Sequence, residues 1–394
     1  MDTVGVVSEY NPFHKGHKFQ LDEVKRISDD ASIVCIMSPN FVQRGETALF
    51  DKYARGRCAV DEGADLAVSM PLVHALLSAE GFAESGIHIA KRLGVTHLAF
   101  GVEDDDLSLL TEVANALTDS KFDIIMKEET EKHPSISYAT LREKAVLSLL
   151  GERAANIIKT PNNILAVEYL KAIKKFAPDI KPLPIKRKGN AYHDESETGE
   201  FLSATSIRKI SKSGGDFLSH LPDAAREVLG AASPFNYEKY ENFLYSVIIS
   251  KSSNILAKYT GNSELANIIK NSAEKYTDFR GFRTSLSRRK HPETKIDRTL
   301  VNLLLDVEYD VYMHKEPEYI TLLAMNERGR RIVSRLRHSD GAVIISRGAD
   351  FKKHALASAE KEVFADSIYA RCMTSPEEGS WFIKKKPYTK EELK

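Results

Sequence analysis

Apolar segments rich in β-branched residues alternate with amphipathic segments along residues 1–100. Four segments have the apolar character of strands buried on both faces of a parallel sheet, namely residues 3–8, 32–38, 65–70 and 96–100. Three segments between them carry apolar side chains at helical spacing, namely residues 18–27, 51–62 and 75–93. Successive strand–helix units of this kind predict an α/β fold with a doubly wound parallel sheet.

The pattern after this region becomes mainly helical. Residues 107–176 have helical periodicity, and residues 162–176 are expected to form a helix that asparagine caps. A short strand is predicted over residues 181–186, at a sheet edge because Pro182 and Pro184 cannot donate backbone hydrogen bonds. Residues 203–210 then begin a helix with Ser and Thr at capping positions.

A loop marked by Pro222 and Pro234 predicts a domain boundary near Ser233. At about 150 residues per domain, 394 residues suit two or three compact units. We therefore expect an α/β domain over residues 1–232 and a mainly helical domain over residues 233–394. About a dozen residues at the C-terminus, rich in Lys and Glu, are expected to fray.

Composition excludes several classes of protein. The 56 basic and 56 acidic residues cancel, so only a local cluster can favour nucleic acid. Cys35, Cys58 and Cys372 lie far apart without a CxxC pair, which argues against disulfides and a cysteine zinc site. The chain has neither a basic segment followed by an apolar one at its N-terminus nor an apolar run of about 18 residues. These features predict a soluble cytoplasmic protein that does not enter a membrane.

The first predicted strand leads directly into His14-Lys15-Gly16-His17. A helix that begins beyond the carboxyl end of a parallel strand offers free N–H groups and its positive dipole end to an anion. His14 and His17 lie on one side of the first turn, and Gly16 permits close backbone approach. This arrangement predicts a phosphate site that stabilises a charged leaving group. The alternative, an accidental string of surface or capping histidines, is disfavoured by the position between strand and helix.

This motif resembles that of the HIGH-motif nucleotidyltransferase superfamily, which includes adenylyltransferases and class I aminoacyl-tRNA synthetases. Its members activate substrates at the α-phosphate of ATP and carry a later Ser/Thr-rich motif that ends in a basic residue. Residues 203–208, SATSIR, resemble that second motif. The resemblance implies a HIGH-type N-terminal fold in which Ser206 and Arg208 hold the β- and γ-phosphates.

Longer strings are similar to those of the bacterial tRNA(Met) cytidine acetate ligase family. They are residues 5–17, 40–46, 50–52, 63–66, 100–101, 161–165 and 203–208. The resemblance implies activation of acetate by ATP to acetyl-adenylate, with Mg²⁺ on the triphosphate and release of AMP and pyrophosphate. It further implies acetyl transfer to the wobble cytidine of elongator tRNA(Met), which forms N4-acetylcytidine.

The family also implies which residues form the ATP site. The catalytic candidates are His14, His17 and Arg208, and no metal is expected to be held by protein side chains alone. The ATP-binding candidates are Val7, Ser8, Glu9, Tyr10, Asn11, Pro12, Phe13, His14, Lys15, Gly16, His17, Gln20, Gly101, Asn162, Asn163, Arg187, Lys188 and Ser206. Alternatives stay open for three of these positions: a turn glycine at 101, a helix cap at 162 and a solvated charge run around 187.

Residues 40–52 are polar and outnumber those of an ordinary loop between a strand and a helix. We expect this loop to close over the active site, with Gln43 and Arg44 facing ATP or tRNA. An ordinary solvated loop is the alternative.

Residues 275–298 contain eight Lys or Arg and three Asp or Glu, a net charge of +5. Tyr276, Phe279 and Phe282 are interleaved with the basic residues, which suits phosphate contacts and stacking on unpaired bases. The RNA-binding candidates are Arg283, Arg288, Arg289, Lys290, Lys295 and Arg298. The alternative is an exposed helix face whose arginines pair with carboxylates.

Two other functions use the same N-terminal motifs. A small-molecule adenylyltransferase acting on a phosphorylated metabolite can be complete within about one domain, so the basic C-terminal half favours a macromolecular substrate. A nucleotide-sensing or RNA-binding protein without turnover is disfavoured because both histidines and Arg208 are present.

Overall fold

The computed structural model describes residues 2–133, 136–187, 201–287, 291–336, 343–354, 356–378 and 381–391. The strands in these ranges are β1 (Thr3–Ser8), β2 (Ser32–Met37), β3 (Leu66–Ser69), β4 (His97–Val102), β5 (Lys181–Lys186), β6 (Tyr319–Met325), β7 (Val343–Ile345) and β8 (Tyr388–Thr389). They form one sheet in the order β5-β4-β1-β2-β3-β6-β7, with β8 paired to β6.

The α-helices of the described ranges cover both faces of the sheet and one of its ends. They are α1 (Lys15–Ile27), α2 (Lys52–Asp61), α3 (Leu72–Ala75), α4 (Ala79–Arg92), α5 (Leu107–Ala116), α6 (Ser120–Lys132), α7 (Tyr138–Leu150), α8 (Glu152–Ile157), α9 (Pro161–Phe176), α10 (Ala204–Lys212), α11 (Asp223–Gly230), α12 (Tyr237–Ser250), α13 (Ser253–Thr260), α14 (Ser263–Lys275), α15 (Phe279–Ser287), α16 (Glu293–Leu305), α17 (Glu327–Leu336), α18 (Gly348–His354), α19 (Ala359–Arg371) and α20 (Trp381–Lys384).

The first five strands are parallel, as the sequence predicts. Alternate residues of β2 serve opposite cores: Ile33 and Cys35 pack with α1, α2 and α10, whereas Val34 and Ile36 pack with α4 and α9. The carboxyl ends of the strands therefore share one edge between two helical layers, where ligands of such sheets bind. The proline-containing strand β5 lies at the edge of the sheet, as expected.

The structure corrects several sequence-based boundaries. The helix predicted over residues 75–93 begins later, at Ala79 of α4, because Ser78 caps it by accepting a hydrogen bond from the Gly81 amide, and α3 ends at Ala75. Asparagine does not cap α9, whose N-cap is Thr160 and whose first residue is Pro161. The C-terminal residues are not all frayed, since β8 pairs with β6.

The C-terminal half is mainly helical, as predicted, but it also contributes strands that the sequence pattern did not predict. Strand β6 runs antiparallel to β3, with Leu66 opposite Met325, and its other edge pairs in parallel with β7 and β8. Helices α12 to α16 and α19 enclose a second core beside the sheet. The division at residues 232 and 233 stays a prediction, and the sheet contains strands from both sides of it.

A buried ion cluster joins the N-terminal sheet to α19. The Lys52 ammonium lies 2.5 Å from Glu362 and 2.8 Å from Asp366, and all three side chains are almost inaccessible. Asn40 donates to Asp366 through its side-chain amide, and Leu72 donates to Glu362 through its backbone N–H. Burial raises the pKa of Asp366. The two carboxylates are thus stabilised by one cation and by neutral donors from two other segments of the chain.

Removal of the cation from this cluster is expected to destabilise the fold strongly. Lys52→Met leaves two buried carboxylates without their charge partner, so we expect a loss of about 3–5 kcal/mol in the free energy of unfolding in urea. Lys18→Met is the matched control, because it breaks an exposed Lys18–Asp22 pair that is worth at most about 1 kcal/mol. Equal losses in the two variants would contradict this assignment.

Candidate active site

The loop between β1 and α1 forms the centre of the candidate site. His14 is the N-cap of α1: its Nδ1 accepts a hydrogen bond from the Gly16 amide at 3.0 Å, while Nδ1 of His17 accepts from the His14 amide at 3.3 Å. A Cβ atom on Gly16 would lie 2.8 Å from the His14 ring, so this capping arrangement requires glycine. Helix α1 therefore begins at Lys15, three residues before the apolar periodicity of the sequence begins at Lys18.

The two imidazoles are neutral and stacked, with ring centroids 3.7 Å apart. Burial, together with the charges of Arg187 and Arg208, lowers the pKa of His14 to about 3. Burial and the neighbouring His14 lower the pKa of His17 well below its ordinary value. Since Nδ1 of each ring accepts a hydrogen bond, the proton of each ring lies on Nε2. Each histidine thus carries an Nε2–H donor that is not used for the cap.

A cavity of about 50 Å³ brings several predicted residues together. His14, Gly16, His17 and Gln20 line it from α1, and Gly101 and Arg187 line it from the ends of β4 and β5. The remaining lining residues are Phe19, Ile185 and Lys186. Residues separated by more than 80 positions in the sequence therefore meet at the carboxyl edge of the sheet.

Helix α10 brings the second motif to the same loop. Ser203 caps the helix by accepting from the Ser206 amide, and the hydroxyls of these two serines are 2.9 Å apart. Arg208 donates from Nη1 to the Asn11 carbonyl at 2.9 Å and from Nη2 to Glu46 at 2.7 Å. The structure thus joins the two motifs through Arg208. Sequence reasoning missed Glu46, because nothing in a single sequence pairs residues 162 positions apart.

Several ATP-binding candidates do not line this cavity and instead support the loops around it. Asn163 accepts the backbone N–H of Glu103 through its side-chain oxygen, and Asn162 donates to the Glu103 carboxylate at 2.5 Å, so both hold the segment after β4. Tyr10 and Phe13 are fully buried in the core. Val7 packs against Gly86 of α4. Lys188 lies outside the described residues.

Buried polar atoms without a partner surround the end of β1. Within the described ranges, Nδ2 of Asn11, Oγ of Ser38 and Oγ1 of Thr47 are buried and form no hydrogen bond. Buried polar groups in native proteins are almost always paired, so a group of unpaired ones marks a place for a polar ligand or water. These three atoms lie in the loops that carry the histidines and Glu46.

The loop of residues 40–52 is packed onto the histidine loop. The Leu49 amide donates to the Asn11 side chain at 2.8 Å, and the Gln43 amide donates to Glu9 at 3.1 Å. Burial raises the pKa of Glu9. Residues 41 and 47 form an antiparallel bridge within the loop. The loop is therefore a folded wall of the site, and the prediction that it closes over ligands stays untested.

The RNA-binding candidates differ in their surroundings. Arg283 forms a two-point ion pair with Asp297, at 2.7 and 2.9 Å. Arg298 forms no ion pair with any described residue and donates to the Gln43 carbonyl at 3.4 Å. Lys295 lies 5.8 Å from the centre of the Tyr309 ring. Three of the candidates, Arg288, Arg289 and Lys290, lie outside the described residues.

Comparison with known proteins agrees with this geometry. A model of the family described as HIGH Nucleotidyl Transferase matches residues 1–380 of the chain. The crystal structure of apo TmcAL from Thermotoga maritima superposes with a TM-score of 0.92 at 28% identity, and the structure of that protein bound with alpha-thio ATP superposes with 0.89 at 26%. Both comparisons cover 100% of each chain. The chain is a HIGH-type nucleotidyltransferase, and the predicted α/β class is confirmed.

Curated relatives narrow this class to one family. The tRNA(Met) cytidine acetate ligase of Acetivibrio thermocellus is 32% identical over 401 residues, covering 95% of this chain and 96% of the relative. The protein of the same name from Oceanobacillus iheyensis is 32% identical over 375 residues, covering 92% and 93%. The chain belongs to the tRNA(Met) cytidine acetate ligase family, as its motifs indicate, and it is an enzyme of the ligase class. Among its described helices, none combines the length and apolar character needed to cross a membrane.

The neutral state of His14 predicts a pH dependence of stability. Because the pKa of His14 in the folded protein is about 3, below its ordinary value of 6.5, the unfolded chain takes up a proton first as pH falls. The His14 contribution is complete above pH 6.5 and is lost on acidification towards pH 3. His14→Asn keeps an N-cap acceptor without a titrating ring. Between pH 6.5 and 4 the parent should lose up to about 1.4 kcal/mol per pH unit more than the variant in urea unfolding. Parallel stability profiles would contradict a buried neutral His14.

Proposed function

We propose that this enzyme activates acetate with ATP and transfers the acetyl group to the wobble cytidine of elongator tRNA(Met). The observation that carries the proposal is the convergence of two neutral Nε2–H donors, the first turn of α1, Arg187 and Arg208 at the end of β1. The names of the relatives supply tRNA(Met), cytidine and acetate. The alpha-thio ATP of the Thermotoga maritima structure supports ATP as the co-substrate.

In the first step, an acetate oxygen attacks the α-phosphorus of ATP. A bond forms between that oxygen and phosphorus, the bond from the α-phosphorus to the bridging oxygen breaks, and pyrophosphate leaves. His14 and His17 donate from Nε2 to phosphate oxygens, and the free amides of α1 add their dipoles. Arg208, which the Asn11 carbonyl and Glu46 hold beside the histidine loop, supplies a positive charge for the departing phosphates. These donors are already in place, so the site reorganises little as charge develops on pyrophosphate.

In the second step, the exocyclic amine of cytidine attacks the acetyl carbonyl of the acetyl-adenylate. A carbon–nitrogen bond forms, the bond between the acetyl carbon and the AMP oxygen breaks, and the amine releases one proton. AMP then leaves as a phosphate monoester whose charge the same donors stabilise. No covalent enzyme intermediate is required, and Cys35 and Cys58 are both buried with pKa values that burial raises.

The family resemblance also implies Mg²⁺. In the part of the chain that the structure describes, no group of three or more His, Cys, Asp or Glu side chains is placed to hold a metal ion. The carboxylates of the two loops are engaged, since Glu9 accepts from the Gln43 amide and Glu46 from Arg208. The described residues do not form a magnesium site, so we expect Mg²⁺ to enter on the phosphates of ATP.

One assay separates this proposal from the small-molecule alternative. The enzyme is incubated with ATP, labelled acetate and bulk tRNA, and the RNA is then digested to nucleosides. The proposal requires a labelled acetylcytidine together with AMP and pyrophosphate. Release of ADP and phosphate, or label that never enters RNA, would refute it.

His17→Ala should slow adenylate formation more than it weakens ATP binding. A donor that acts on charge developed during the reaction contributes about 10²–10³-fold in rate. The rate is measured by acetate-dependent exchange of pyrophosphate into ATP, and affinity is measured by ATP titration. His133→Ala, which removes a half-exposed imidazole at the C-cap of α6, is the control. Unchanged exchange in His17→Ala would exclude the motif from the mechanism.

Joint replacement of Arg288, Arg289 and Lys290 by Ala tests the basic cluster. We expect weaker tRNA binding and a flatter salt dependence, because each lost phosphate contact removes about 0.7 to 0.9 from the log–log slope. ATP affinity should stay the same. Parent-like tRNA binding would identify these residues as a solvated surface, and loss of ATP binding would contradict separate nucleotide and RNA sites.

A further inference from the structure

A cavity of about 550 Å³ lies beside the active site, on the far side of Gln43. Its walls are the segment of residues 73–80, residues 294–302 of α16, the segment of residues 307–313 and the start of α7 at residues 136–139. The backbone N–H of Gln43 donates to Glu9. Its side-chain amide donates to the Leu77 carbonyl and its backbone carbonyl accepts from Arg298, and Leu77 and Arg298 both line the cavity. Gln43 therefore links the wall of this cavity, called here the α16 cavity, to the loop that carries the histidines.

Arg298 presents an unpaired cation to this cavity. The structure gives it no carboxylate partner among the described residues, only the 3.4 Å hydrogen bond to the Gln43 carbonyl. Burial lowers its pKa. A partly buried guanidinium has several donors in a fixed plane, and most of those of Arg298 have no acceptor in the described chain. The contrast with the paired Arg283 indicates that Arg298 is arranged for an acceptor from outside the protein.

Asn302 presents an unpaired acceptor to the same cavity. It lies one turn after Arg298 on α16, its residue is 91% buried, and its Oδ1 has no hydrogen-bond partner in the described residues. A buried amide oxygen without a hydrogen-bond donor is energetically unfavourable. A ligand that donates an N–H at this position would recover that cost.

Tyrosine rings complete the cavity. Tyr309 and Tyr312 lie on one wall, and Tyr138, exposed at the start of α7, lies at the other. The Tyr309 ring packs on Gly261, where a Cβ atom would lie only 2.4 Å away, so its position is fixed from behind. Rigid aromatic rings next to a guanidinium are the groups on which unpaired bases stack.

The charges of the lining favour a neutral, planar ligand over a bare phosphate. Lys295 and Arg298 share the lining with Glu80, Glu308 and Asp310, and Glu80 also pairs with Lys171. A polyphosphate would meet these carboxylates, whereas a nucleobase uses its ring face and its polar edge. An exocyclic amine would donate to Asn302, and a ring nitrogen or carbonyl oxygen would accept from Arg298.

We propose that the α16 cavity binds one unpaired, amine-bearing nucleobase of the RNA substrate. The base stacks on Tyr309 and is read by Asn302 and Arg298, which holds the RNA loop next to Gln43 and the histidine loop. This inference rests on the proposed function, because it takes the substrate to be RNA. The α16 cavity would recognise a base, in addition to the phosphate contacts proposed for the basic cluster.

The test measures binding of an anticodon stem-loop RNA to the full-length enzyme by fluorescence anisotropy. Asn302→Leu and Arg298→Met should each weaken binding about tenfold, the effect of one lost base contact. Tyr309→Ala should weaken it similarly and Tyr309→Phe should not. Arg26→Met, which removes an exposed arginine of α1, is the control for lost charge. Arg298→Lys, which keeps the charge without the planar fork, should resemble Arg298→Met.

A substituted RNA tests the amine directly. Stem-loops whose loop bases lack exocyclic amines should bind the parent about tenfold more weakly, and Asn302→Leu should then add no further loss. Parent-like affinity of all cavity variants, or a loss in Asn302→Leu that is the same for both RNAs, would overturn the proposal. Urea unfolding of each variant shows whether a loss of RNA affinity reflects misfolding. If it does, the RNA affinities of Tyr309→Phe and Tyr309→Ala decide whether the ring binds a base.

Failure of the proposed function gives a different result. Acetate-dependent pyrophosphate exchange by the parent, measured without RNA, tests acetate activation alone. Its absence would refute acetate activation whatever the RNA measurements show. Its presence, combined with unchanged RNA binding by the cavity variants, would refute only the assignment of the α16 cavity.

Discussion

The buried guanidinium of Arg55 fixes the loops at the carboxyl ends of β1 and β2. It donates to the carbonyl oxygens of Glu9, Ser38, Pro39 and Phe50, with distances of 2.6 Å to Pro39 and 2.9 Å to Phe50. Burial lowers its pKa, and the set of carbonyl oxygens compensates for the loss of water around the charge. Because these carbonyls belong to the two loops of the site, one side chain of α2 sets the distance between the loops.

Helix α2 is also where the C-terminal half is attached. Lys52 at its first turn holds Glu362 and Asp366 of α19, and Gly56 one turn later contacts Leu323 of β6 so closely that a Cβ atom would lie 2.7 Å from it. The helix therefore faces the nucleotide loops at one end and the C-terminal strand along its length. A displacement of either half would move the carbonyls that Arg55 binds, so the shape of the site depends on residues from both halves.

The sequence patterns predicted those features that depend on residues a few positions apart. The apolar runs of β1 to β4, the histidine motif and the Ser203 cap depend on neighbours within a few positions, and all were recognised. Strands β6 to β8 were not predicted, because a run such as residues 319–325 is equally consistent with a buried helix segment. The pair of Arg208 with Glu46 and that of Lys52 with Glu362 join residues 162 and 310 positions apart, and no spacing rule reaches that far. Family resemblance named the candidates of the site, whereas the structure showed which of them touch the cavity and which, such as Asn162, support it from behind.

The two proposed steps require ATP and RNA to approach one acetyl group from different sides, and residues 43–46 lie between those sides. Gln43 contacts Glu9 through its amide and Arg298 through its carbonyl, while Glu46 pairs with Arg208 of the second motif. Gly45, with a φ of 77°, lies against the backbone of α16, where a Cβ atom would be 2.2 Å from the Arg298 nitrogen. A segment packed this tightly transmits a shift of α16 to both Glu9 and Arg208, since packed interiors rearrange between discrete states and do not deform continuously. The proposed RNA-binding side chains of α16 are therefore mechanically connected to Arg208, the proposed phosphate-binding residue, although the two surfaces share no side chain.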